Sequence, residues 1–140
     1  MRIFLDANIL VAVINKEYPL FTYASRIMSL ADNKQFAVYT SPLCLAVAFY
    51  FAEKKNKKTA KQKIKLLGSN LSIAGIDDAC VQKTLQNAAV NDFEDGLEYY
   101  AAAENKCKCI ITEDKNDFYF SGIEVLNCEG FFNKYLSKKV

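Results

Sequence analysis

The chain has 140 residues, enough for one sizeable core, and is expected to form a single domain over 1–140. Apolar residues make up 51% and aromatic residues 13%, which excludes a disordered chain; 18 basic against 16 acidic residues leave a net charge of +2, too small to name a partner. There is no histidine, which excludes catalysis by a histidine base, and the five scattered glycines form no phosphate-binding loop.

In chain order, Ile3-Phe4-Leu5 is short, apolar and rich in β-formers, as a strand buried on both faces requires. It stops at Asp6, and Asn8 is expected to cap a short helix over 9–15. Tyr18-Pro19 breaks that helix, and the apolar spacing from Leu20 to Ala31 predicts another. Phe36–Thr40 reads as a second strand. Ser41 then caps a helix with Pro42 at its first position, running through Glu53 and apolar on nearly all sides, so expected to be well buried. A helix over 59–67 follows, stopped by Gly68, then a third strand over 71–74. Ile76-Asp77-Asp78 opens a helix to about Val90, and Asn91 or Asp92 caps the next, Phe93–Glu104. Cys109–Thr112 and Glu124–Leu126 are the last strands, and 131–138 a terminal helix. Strands alternating with helices predict a three-layer α/β/α fold around a mostly parallel sheet of about four to five strands.

The longest apolar run, Leu43–Ala52, is ten residues and falls short of a membrane span. Asp6 interrupts any signal-peptide core, so a cytoplasmic protein without membrane contact is expected. Five cysteines, an odd number without framework spacing, read as buried thiols; Cys107-Lys108-Cys109 is a weak match to a zinc pair.

Right-handed crossovers bring the strand carboxyl ends to one edge, where ligands gather in such sheets. Asp6 follows the first strand there, and Asp114 the fourth, with Asp117 three residues on. Asp92, Glu94 and Asp95 lie in the first turn of one helix, and Asp92, Asp95 and Glu98 share roughly one face. Helix capping accounts for Asp92, and less well for Asp95 beside Asp6 and Asp114. Clustered carboxylates repel unless a cation sits among them, and oxygen ligands point to Mg²⁺ or Mn²⁺ and phosphate chemistry.

Three segments carry a resemblance. Phe4-Leu5-Asp6-Ala7-Asn8-Ile9-Leu10 resembles the F-L-D-x-N-I-L opening of PIN domains, the nuclease fold of VapC-type toxins. The stretch from Asn91 to Ala102 is similar to the D-F-E-D-A-L-x-Y-x-A segment of one bacterial branch, and Ile110–Phe118 to its I-V-T-x-[DN]-x-x-D-F segment. The resemblance implies Mg²⁺- or Mn²⁺-dependent RNA cleavage, a paired antitoxin and a homodimer. Carried over by position, Asp6, Asp95 and Asp114 are metal-site carboxylates. Asp117 and Glu94 support them, and Asn8 and Thr112 orient them by hydrogen bonds.

One position departs from the pattern. Most active members carry a glutamate early in the helix after the second strand, where Val47 stands here. Glu53, six residues on, is turned by about 600° and displaced by about 9 Å, so it faces elsewhere. Whether Glu94 or Glu98 fills the gap is left open at this level.

Seven lysines crowd residues 54–65, and Lys54, Lys58, Lys61 and Lys65 follow helical spacing. A solvated helix face and an RNA-phosphate flank are equally consistent with that pattern. Of the aromatic residues, only Tyr99 and Tyr100 are candidates for surface work. The reading that follows is a metal-dependent endoribonuclease of the toxin–antitoxin kind. Its rival is a catalytically degenerate PIN domain binding RNA or protein, which Val47 favours. A phosphate-accepting receiver domain has acids at strand ends too, but the order of acids here is wrong for it.

Overall fold

The computed structural model describes residues 1–137. Five parallel strands form one sheet in the order β3-β2-β1-β4-β5: β1 Arg2–Leu5, β2 Ala37–Thr40, β3 Ser72–Ile73, β4 Cys109–Ile111 and β5 Glu124–Leu126. The helices are α1 Ala7–Ile14, α2 Leu20–Met28, α3 Pro42–Lys55, α4 Lys57–Asn70, α5 Asp78–Gln86, α6 Phe93–Glu104 and α7 Cys128–Phe131. Ile3, Phe4 and Leu5 are fully buried because β1 is the central strand, paired on both sides and covered on both faces. Ser72 and Ile73 on edge strand β3 are exposed.

α1 packs on α2 and α3, α3 on α4, and α2 on α7, while α5 packs on α6. Right-handed crossovers set these two groups on opposite faces of the sheet. The chain leaves β1 toward β2 on one side and returns through α5 and α6 to β4 on the other. A crevice therefore opens at the carboxyl ends of β1 and β4, where the order reverses.

Several expected boundaries move for physical reasons. The cap of α1 is Asp6, whose Oδ1 accepts from the Ala7 N–H at 2.7 Å; Asn8 lies inside the helix and points its side chain across to β4. Gly68 does not stop α4. Nothing crowds it, and Ser69 and Asn70 bond the carbonyls of Lys65 and Leu66, so the helix reaches Asn70. α5 ends at Gln86 rather than near Val90. The terminal helix is α7 followed by a π turn over Phe132–Leu136, and its expected end at Lys138 lies outside the described residues.

α3 differs most from expectation. Only Cys44, Ala48 and Ala52 along it are buried, a single stripe facing the fold, while Tyr50 and Phe51 are exposed. α6 is the opposite. A Cβ on Gly96 would lie 2.4 Å from Thr84 Cγ2 and 2.8 Å from Val90 Cγ1, so the glycine admits α5 and the following loop against the first turn of α6. That contact holds the turn carrying Asp95.

Candidate metal centre at the sheet switch point

The crevice holds a cavity of about 400 Å³ lined by Asp6, Ala7, Asn8, Val11, Glu17, Val47, Phe51, Glu94, Asp95, Glu98, Asp114 and Asp117. Seven of these are acids, and no lysine or arginine lines the cavity among the described residues.

Asp6 sits at the floor, 8% exposed, with Oδ1 on the helix cap and Oδ2 accepting from the Thr112 hydroxyl at 2.8 Å. Thr112 Oγ1 in turn accepts from Asn8 Nδ2 and from the Asp114 N–H, both at 3.1 Å. Asn8 Nδ2 also reaches Asp114 Oδ2 at 3.1 Å. The hydroxyl thus spends its one proton on Asp6 and both lone pairs on its neighbours. The ends of β1 and β4 are tied together through their carboxylates.

α6 supplies the opposite wall. Asp92 caps it, accepting from the Asp95 N–H at 3.0 Å, which leaves the Asp95 carboxylate free to face the cavity. Burial, then the charges of Asp92, Asp117 and Asp6, push Asp95 up to about 7. One turn deeper, Glu98 is 1% exposed, and burial followed by the charge of Asp6 pushes it up to about 10. Burial and then Asp92 raise Glu94; burial and then Asp114 raise Asp117. These carboxyls resist ionising together because no cationic side chain lines the cavity with them.

Of the residues singled out from the sequence, Asp6, Asn8, Glu94, Asp95, Asp114 and Asp117 line this one cavity, and Thr112 stands directly behind it. Lys54 at the end of α3 and Lys58, Lys61 and Lys65 on α4 are exposed, and none lines the cavity. Tyr99 and Tyr100 are half-buried, and their hydroxyls accept from the Gly122 N–H and from Asn87 Nδ2. The exposed aromatics among the described residues are Tyr18, Tyr50, Phe51, Phe93 and Tyr119, with Phe51 on the cavity lining.

One participant escaped the sequence, and another was legible only in part. Glu98 carried a signal, three residues after Asp95 on the same helix face, but its depth did not show. Cys44 was grouped with the buried thiols, which all five cysteines are. Its Sγ lies 2.9 Å from Glu98 Oε1 and 3.9 Å from Asp6 Oδ1, and burial followed by these two charges holds its thiol well above the usual range.

Residues 2–116 match the family model described as PIN domain. The chain is 28% identical over 138 residues to ribonuclease VapC1 of Aquifex aeolicus (strain VF5), covering 96% of this chain and 95% of the relative. Among solved structures it resembles VapBC2 from Rickettsia felis bound to a DNA fragment from their promoter, with TM-score 0.66 and 24% identity over 91% of this chain and 98% of that one. It also resembles VapC20 of Mycobacterium tuberculosis, a sarcin-ricin loop cleaving toxin, with TM-score 0.66 and 16% identity over 86% and 95% of the two chains. FitAcB from Neisseria gonorrhoeae gives TM-score 0.64 at 16% identity, over 91% of this chain and 98% of that one. At these identities the solved structures speak to the fold alone.

Proposed function

The chain belongs to the PIN-domain family, and from that premise we propose that it is a divalent-metal-dependent endoribonuclease, the toxin of a toxin–antitoxin pair. One observation carries the reading. Asp6, Asp95, Glu98 and Asp114 converge from β1, α6 and the end of β4 on one cavity without a neutralising base in its lining among the described residues. The named activity of the Aquifex relative, aligned over nearly the whole chain, supports it.

The donor set fits a hard ion. Among the described residues the cavity lining offers carboxylate oxygens and no thiol or imidazole, which suits Mg²⁺ or Mn²⁺. Asp6, Asp95 and Asp114 would hold the ion. When bound, it supplies Lewis acidity toward a phosphodiester and lowers the pKa of water. The chain's own part is positional. Thr112 and Asn8 lock the Asp6 and Asp114 carboxylates in one arrangement, so little reorganisation is needed on binding. Val11, Val47 and Phe51 form the apolar side of the cavity, and the exposed ring of Phe51 offers a stacking surface to a nucleobase.

The same logic extends to partners. Lys58, Lys61 and Lys65 on one side of α4, with Lys54, supply positive charge for an RNA backbone. Exposed Tyr50, Phe51 and Phe93 are the aromatic surface that protein interfaces favour, which supports an antitoxin and a second copy of the chain as partners. Among the described residues no helix is long and apolar enough to cross a membrane, in keeping with a cytoplasmic toxin. One hydrophobic cluster links the sheet to helices on both faces, which supports reading 1–140 as one PIN-like domain.

Val47 on the cavity wall favours one rival, a degenerate PIN domain that binds RNA or protein without cutting. Cleavage of a mixed RNA pool in Mg²⁺ or Mn²⁺, wild type beside Asp95→Asn, separates the two. Cutting by wild type alone is expected. If neither protein cuts and neither binds Mn²⁺, the binding-module reading replaces this one.

A further inference from the structure

We propose that Glu98 stands in for the acid that α3 lacks, its carboxylate reaching from α6 to the α3 side of the cleft as a fourth ligand of the metal centre. The inference rests on the nuclease reading above and assigns a role within the same site.

Three observations place it there. Val47 and Glu98 line the same cavity as Asp6, Asp95 and Asp114, on α3 and α6 respectively. Cys44 lies three residues before Val47 on α3, and its Sγ is 2.9 Å from Glu98 Oε1, so the glutamate's head group rests against the helix that should have supplied the acid. Asp6, Cys44 and Glu98 also bring one ligand atom each within 4.8 Å of one another.

Local chemistry is compatible with a cation beside it. Glu98 is 1% exposed, and its carboxyl accepts from the Cys44 thiol, a weak donor, and otherwise faces the Asp6 carboxyl. Neither salt bridge found among the described residues includes it. Ionising a carboxyl buried that way is costly, so Glu98 can become a carboxylate only when a positive charge joins it. Helix geometry adds the reach. Asp95 and Glu98 are separated by about 300° and about 4.5 Å of rise, so one helix presents one acid at the mouth and one at the floor. The extra methylene of glutamate carries the deeper acid toward α3.

Mn²⁺ binding by calorimetry and by electron paramagnetic resonance tests this on wild type, Glu98→Gln, Asp95→Asn, Val47→Glu and the Val47→Glu/Glu98→Gln pair. Glu98→Gln is expected to weaken Mn²⁺ binding by at least about tenfold. Its metal-free melting temperature should not fall, and the double variant should regain most of the affinity. Val47→Glu alone should tighten binding by less than about threefold, since the position is already served. Wild-type affinity in Glu98→Gln, with loss in Asp95→Asn, overturns this proposal and leaves the nuclease reading standing. Wild-type affinity in both overturns the metal centre itself. If Glu98→Gln fails to fold, Val47→Glu decides: tightening of about tenfold or more means the position was vacant and the proposal is wrong.

Discussion

The two walls of the cleft are built on different principles. On one side, β1, β4 and α6 present carboxylates whose positions are over-determined: Asp6 by a helix cap and Thr112, Asp114 by Asn8, Asp95 by the Asp92 cap and the close approach at Gly96. On the other, α3 presents Val47, Phe51 and a thiol, and half-buried or exposed apolar surface around them. Charge repulsion accumulates on the rigid wall, where hydrogen bonds hold it in place. The α3 wall carries no acid of its own at the cavity among the described residues, and under the proposal above the Glu98 carboxylate reaches across to it from α6.

Substitutions on the rigid wall should produce the largest effects and should split by how each acid is held. Asp95→Asn removes a carboxylate that anchors nothing. It should cut RNA cleavage by at least about 100-fold while raising the metal-free melting temperature by about 3 °C, the shift that roughly 1 kcal/mol of relieved repulsion produces in a domain of this size. Asp6→Asn should lose as much activity but melt about 5 °C lower. Its new N–H would meet Thr112 Oγ1, which already accepts two donors, and the hydroxyl proton would lose its acceptor. Equal melting temperatures for the two variants would show that the floor of the site is not locked as described.

Gly96→Ala tests the mechanical side of the same wall. Overpacking costs roughly 1–3 kcal/mol and the gain in helix propensity returns about 1, so thermal melting should fall by about 4 °C. Thr84→Ser removes the methyl group that the new Cβ would meet at 2.4 Å and should recover part of that loss. No change in melting would mean that α6 moves freely against α5.

The pH dependence of stability should follow from the raised acids. Asp95, raised from 3.8 to about 7, binds its proton more tightly when folded. Its stabilising contribution is complete below about pH 4 and is lost as pH rises through about 7. Glu98, raised from 4.5 to about 10, extends the loss to higher pH. Metal-free melting temperatures should therefore decline from about pH 5 to 9, and Asp95→Asn should flatten the lower half of that range. Saturating Mn²⁺ should reverse the decline, because the ion favours the ionised acids.

The smallest effect is expected farthest from the cavity. Replacing Lys58, Lys61 and Lys65 with glutamine should leave melting unchanged and reduce the salt slope of single-stranded RNA binding by about 0.7 per lysine lost. An unchanged slope would return these residues to an ordinary solvated helix face.

Much of the acidic wall was legible from the sequence because it depends on short-range order. An apolar triplet ending at Asp6, another ending before Asp114, and a capped helix with Asp95 in its first turn each identify a carboxylate at a known place in a βα unit. Asn8 shows the limit of such reading. Its type suits a helix cap, yet Asp6 takes that role and Asn8 bridges to β4, more than a hundred residues away.

The sequence alone determined the parallel three-layer arrangement, since strand and helix periods alternate and burial of apolar runs leaves few ways to stack them. It also determined which strand ends carry acids. Tertiary structure decided the rest: which face of α6 points inward, how far Glu98 reaches, and that α3 exposes aromatic side chains instead of burying them. Those outcomes depend on which helix lies opposite and how closely, as Gly96 against Thr84 and Cys44 against Glu98 show. Periodicity assigns a residue to a face of its own helix; only packing assigns that face a neighbour.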